Sequence, residues 1–206
     1  MLNAAYARGG DVQPVAVEML AGGIAPGWSG QQRVAELGLD LVLLAGSGWE
    51  VEELTALIAQ VAQTYAQCGV HLARVRWRKM AVQEQWLDFS SQSARQLVST
   101  LAIERPAAFL VRDTRQLPAF DAEAIGAGNS RTRPELRDTV WLTRALPHPA
   151  VGLAHELFHV LTDSGAHDLR ANNLMRADSA PGNIQLEPDQ CRAMRDSPLL
   201  VAVKDR

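Results

Sequence analysis

Lysine is nearly missing from this chain: Lys79 and Lys204 are the only two, and arginine carries the rest of the positive charge. Acidic residues outnumber basic ones, for a formal net charge of −3. A protein that grips phosphates needs a basic patch or stripe, so general nucleic-acid binding is not expected. No apolar run approaches the roughly 20 residues that span a bilayer, so no membrane span is expected. Cysteine is limited to Cys68 and Cys191, which excludes a cysteine-built metal site or a disulfide-dense scaffold. The two are either one disulfide, if the protein is exported, or two separate buried thiols. Residues 1–10 lack the basic start and apolar run of a secretory signal. The expected location is therefore cytoplasmic by default, and exported or periplasmic if a signal has been removed. Aromatics make up only 5% of the chain, and no internal repeat or low-complexity tract is visible.

What is present suits an ordinary globule: 206 residues, 47% of them hydrophobic and 21% charged. Residues 1–38 carry Gly9-Gly10, Gly22-Gly23, Pro26-Gly27 and Ser29-Gly30 around a short apolar piece at 15–20, and read as a loosely ordered leader. Residues 39–45 form a nearly continuous apolar run bounded by Gly46 and Gly48, as a strand buried on both faces requires. Ser47 and Glu50 have capping-box spacing. The helix that follows keeps Val51, Leu54, Leu57, Ile58, Val61, Tyr65 and Cys68 on one stripe and ends at Gly69. Residues 70–80 alternate around Val75 and Trp77, with Arg74, Arg76 and Arg78 on the expected solvated face; His71 within them is read as structural.

A second helix is expected over 91–103 and a short buried strand over 107–111. Residues 113–137 are turn-rich, with 122–127 as a candidate edge strand, and a last strand covers 139–143. Pro147-His148-Pro149 then opens a helix over 151–161, and Pro188 opens a short terminal one. The order implies an α/β fold: a mixed, twisted sheet with backing helices, a buried active-site helix and a small C-terminal subdomain. The expected boundaries are 1–38 for the leader, 39–164 for the catalytic subdomain and 165–206 for the terminal one.

The 151–161 helix is apolar almost all round, yet it holds His155, Glu156 and His159. Burying those groups without a partner is costly, and a bound cation supplies one. On a helix the two histidines are roughly 40° and about 6 Å apart on one face, so both imidazoles can reach one tetrahedral ion. Glu156 is placed to face a water at that ion without ligating it. A catalytic zinc needs a third protein ligand. Asp163, His167 and Asp168 are the nearby candidates, with His167 favoured because zinc takes imidazole readily.

The segment from His155 to Met175 resembles the metzincin clan of zinc metallopeptidases, which have a His-Glu-x-x-His helix, a turning glycine, a third histidine and a methionine turn. The resemblance implies His155, His159 and His167 as ligands of one zinc ion per chain, Glu156 as general base, Gly165 as the turn residue and Met175 under the site. It further implies that the edge strand, at Ala124, Ile125, Gly126 and Ala127, binds extended substrate backbone. The implied reaction is hydrolysis of peptide bonds in a peptide or protein substrate, by a zinc-activated water.

Two departures stand out. Thr162 and Gly165 occupy the positions where the clan has its glycine and third histidine, and His167 follows two residues later. This reads as a longer helix, with residues 162–164 completing its last turn and Gly165 as the left-handed residue that ends it. No tyrosine follows Met175. The alternatives are a zincin that uses Glu187 as third ligand and a non-catalytic, zinc-stabilised binding module.

Overall fold

The structure is a computed structural model that describes residues 12–21 (backbone only), 32–178 and 180–203. Its first half runs β1 (Val12–Ala21), β2 (Ala35–Ala45), α1 (Val51–Ala66), β3 (Val70–Val82), β4 (Asp88–Phe89), α2 (Ser91–Thr100) and β5 (Ala107–Leu110). The second half runs β6 (Asp113–Thr114), β7 (Ala122–Ile125), β8 (Thr139–Leu142), α3 (Pro149–Thr162), α4 (Pro188–Arg195) and β9 (Val201–Ala202).

The apolar run at 39–45 lies inside the sheet, where a strand without polar alternation belongs. β2 is parallel to β3 on one side and to β5 on the other, β5 is parallel to β8, and β7 closes the far edge antiparallel to β8. Leu39, Leu41 and Leu43 face a core layer filled by α1, α3 and α4, whereas Val42 and Leu44 face a second layer filled by α2 and the aromatic residues Trp86 and Phe89. The mixed, mostly parallel sheet with helices on both faces is the α/β architecture expected from the sequence.

Several local expectations are revised. Within the segment read as a loose leader, β1 forms the opposite sheet edge, antiparallel to β3 from Val12↔Val82 to Ala21↔Arg74. β2 begins at Ala35, so position 38 lies inside a strand. Residues 1–10 lie outside the described residues. The cap of α1 is Glu50 with Glu53, not Ser47 with Glu50. Ser47 sits instead in a turn between Gly46 and Gly48, whose φ values of 93° and 85° suit glycine, and its amide donates to Leu44 O at 3.0 Å.

The arginine face of β3 is not simply solvated. Arg76 Nε and Arg78 Nη2 donate to the buried Asp40 at 2.9 and 3.0 Å, Arg76 Nη2 donates to it as well, and Glu104 N adds a fourth bond at 2.8 Å. Of the two readings for the cysteines, the disulfide is the one present: Cys68, just past α1, is bonded to Cys191 in α4.

Candidate metal centre

α3 begins with Pro149 in its first turn and crosses the core with Leu153, Ala154 and Leu157 fully buried. α1 is pinned to it by Tyr65, whose hydroxyl donates to Ala154 O at 2.7 Å, one residue before the first histidine. His155 is buried, and its Nδ1 faces Leu174 O at 2.7 Å; His159 Nδ1 faces Ser164 O at 2.5 Å. A carbonyl oxygen only accepts, so each Nδ1 must carry the proton, and in neutral imidazole that leaves Nε2 as a bare lone pair. The two Nε2 atoms lie 3.0 Å apart. Two lone pairs at that distance repel, and a cation between them turns repulsion into ligation. His167 completes the group: one ligand atom from each of His155, His159 and His167 lies within 4.8 Å of the others, and these three histidines could hold a metal ion. Three imidazoles, two with their far nitrogens held by carbonyls, fit the donor set that zinc takes.

The helix end differs from the sequence reading. Asp163, not Gly165, is the left-handed residue, at φ 48° and ψ 40°. Its carboxylate accepts from Gly128 N at 2.6 Å, which offsets the strain of that conformation. Gly126 allows the close approach, because a Cβ there would stand 2.8 Å from Asp163 Oδ1. Gly165 has no positive φ, and a Cβ on it would meet nothing within 4 Å.

Asp163 thus turns its carboxylate to the 126–128 loop. Asp168 is paired with Arg170, which draws its pKa down to about 2. Glu187 caps α4 through Gln190 and lies 3.7 Å from Arg170. None of these three acids joins the histidine group, which is the sole candidate cluster of its kind among the described residues. His71 is buried in β3 and His148 is the cap of α3, both outside the cluster.

Met175 is buried in the turn that supplies Leu174 O to His155. Its amide donates to Asn173 Oδ1 at 2.8 Å, and its carbonyl accepts from Asp168 N at 2.7 Å. Beside the histidines opens a cleft of about 610 Å³, lined on its far side by Ala122, Glu123, Ala124 and Gly126. Of the edge-strand residues expected there, Ala124 and Gly126 line the cleft, Ile125 is turned into the α2-side core, and Ala127 follows the strand without lining the cleft.

Glu156 also lines the cleft. Burial pushes its carboxyl up to about 7, the neighbouring Glu123 adds to the rise, and the Ala124 amide opposes it. Burial, with the other two imidazoles close by, draws His159 down to about 4, and burial likewise lowers His155. At neutral pH the pair is therefore uncharged and ready to ligate. Sequence reasoning missed Glu123, Tyr65, Leu174 O and the Asp163–Gly128 contact, none of which has a local pattern that announces it.

No protein family and no curated protein matches the chain. Among solved structures it is similar to metalloproteinase-II from Bacteroides fragilis, with a TM-score of 0.58 over 82% of this chain at 17% sequence identity. The fold is metalloproteinase-like. The chain spans about half of that protein's length, 54%. The metalloproteinase-like frame extends well beyond the 21 residues on which the sequence resemblance rests.

Proposed function

We propose that this chain is a metzincin-like zinc peptidase, with the segment from β2 to residue 164 as its catalytic part and the segment after 164 supplying the third ligand. The observation that carries the reading is the pair of Nε2 lone pairs on His155 and His159, 3.0 Å apart with both Nδ1 atoms committed to carbonyls. His155, His159 and His167 would hold the ion. When bound, zinc supplies Lewis acidity, which acidifies a water and polarises a carbonyl.

The rest falls to the chain's own groups. Glu156 sits at the cleft with a carboxyl raised to about 7, so it can take a proton from an attacking water and give it to the leaving amine near neutral pH. β7 is a sheet edge along the same cleft, and an extended peptide laid beside it would place its backbone next to Glu156. Ala124 O already accepts from Asn129 Nδ2 at 2.9 Å, which leaves one lone pair of that carbonyl for a substrate donor. The Cys68–Cys191 disulfide supports a life in an oxidising compartment. Among the described residues no helix is long and apolar enough to cross a membrane.

Glu156→Gln is the test. It keeps the side chain's size and removes the base. Zinc content should stay at one per chain, while cleavage of a mixture of denatured proteins, read as new termini by mass spectrometry, should fall about 100-fold or more. Equal cleavage by parent and variant would overturn the mechanism, and zinc binding with no cleavage by either would make the chain a zinc-stabilised binding module.

A further inference from the structure

Gln190 is 9% exposed on the inner side of α4, and both ends of its amide are engaged. Oε1 accepts from Asn173 Nδ2 and from Glu187 N, each at 2.9 Å. Nε2 donates to Asn173 Oδ1 at 3.0 Å and to Asp168 Oδ2 at 3.3 Å. Asn173 is fully buried, and its Oδ1 also accepts from Met175 N. The reciprocal amide pair therefore fixes the backbone at 173–175, where Leu174 O is the acceptor that orients His155. Asp168 directly follows His167, and its amide is bonded to Met175 O. One side chain thus reaches His155 through Asn173 and Leu174, and His167 through Asp168. The position of Gln190 is itself anchored, because its neighbour Cys191 is bonded to Cys68, just past α1, the helix that also holds Ala154 through Tyr65.

We propose that Gln190 is a positioning residue of the metal centre, holding His155 and His167 at ligating distance without touching either. The inference rests on the zinc reading above and goes beyond it in assigning the spacing of the ligands to a residue on α4. Outer partners of metal ligands commonly set affinity by 10- to 100-fold, because an imidazole left free to rotate must be ordered when the ion binds.

The test is zinc affinity, measured by competition with a chromophoric chelator, for the parent, Gln190→Met, Gln190→Glu and Gln67→Met. Gln190→Met keeps the volume and loses every hydrogen bond. Gln190→Glu keeps the oxygen that caps α4 and accepts from Asn173 but loses the donors, so it remains informative if the methionine variant does not fold. Gln67→Met is the structural control: Gln67 also ties down the terminal segment, bonding Ile184 O at 2.7 Å and Leu186 N at 3.2 Å. Both Gln190 variants should bind zinc about 10- to 100-fold more weakly than the parent, and Gln67→Met within about twofold of it. Parental affinity in the Gln190 variants, or an equal loss in Gln67→Met, would overturn the positioning role. A parent protein that takes up no zinc would instead overturn the zinc reading, and the positioning role with it.

Discussion

Cutting the Cys68–Cys191 bond tests how firmly the terminal segment, which carries the third histidine, is tied to the rest of the fold. The bond joins residues 123 positions apart, so it closes a loop that contains most of the sheet and all of α3. In the chain-entropy treatment, such a crosslink removes about 2.1 + 1.5R ln n cal/mol/K from the unfolded state. With n equal to the 123-residue separation this comes to roughly 16 cal/mol/K, or about 5 kcal/mol at 25 °C. Residual structure in the unfolded chain lowers that figure, so a loss of about 3–5 kcal/mol is expected for Cys68→Ala/Cys191→Ala. Both sulfurs are buried in the layer that holds Tyr65, Leu174 and Met194, so a small packing loss adds in the same direction. Against a typical total of about 5–15 kcal/mol this is a large share of the stability. Urea unfolding of the zinc-free parent and double variant, followed by circular dichroism, gives the comparison. The variant's midpoint should drop, and its m-value should rise as the uncrosslinked chain expands further. Coincident unfolding curves for the two proteins would refute the reasoning, since they would mean that the crosslink constrains nothing in the unfolded chain.

His167 is exposed, so His167→Ala should fold like the parent yet lose most of its zinc, measured by metal analysis after dialysis; full retention would remove it as a ligand. Glu187→Gln should keep parental zinc content, because that side chain caps α4 and stands outside the histidine group. For the zinc-free protein, the carboxyl of Glu156 is raised to about 7, so the fold favours its protonated form, and this contribution is present below about pH 4.5 and lost as pH rises through 7. Zinc-free Glu156→Gln should therefore melt above the parent at pH 8, with the gap closing as pH falls towards 4; a gap independent of pH would refute the burial argument.

Much of the candidate site was legible because it is local. His155 and His159 lie one helical turn apart on a segment with no polar face, and that spacing alone brings two imidazoles together wherever the helix goes. The unbroken run at 39–45 likewise announced a strand covered on both faces. Local pattern failed where a distant partner decided the outcome. Asp163 takes the left-handed position in place of Gly165 because the Gly128 amide is there to receive its carboxylate. Glu50 caps α1 because Ser47 is committed to a turn with Leu44. β1 is a strand because β3 offers it an edge, which no periodicity within residues 12–21 could reveal.

The sequence by itself determined the α/β class, through the order of its strands and helices, and also the central strand, the helix that carries His155, Glu156 and His159, and the expectation that a cation joins them, since these last three depend on spacings of four residues or fewer or on a single apolar run. Only the tertiary structure decided which of Asp163, His167, Asp168 and Glu187 stands with the other two histidines, that Cys68 meets Cys191, and that Gln190 reaches towards both ends of the histidine group. The physical reason is that these contacts form between segments tens of residues apart, whose approach is set by how the sheet and its two helical layers pack.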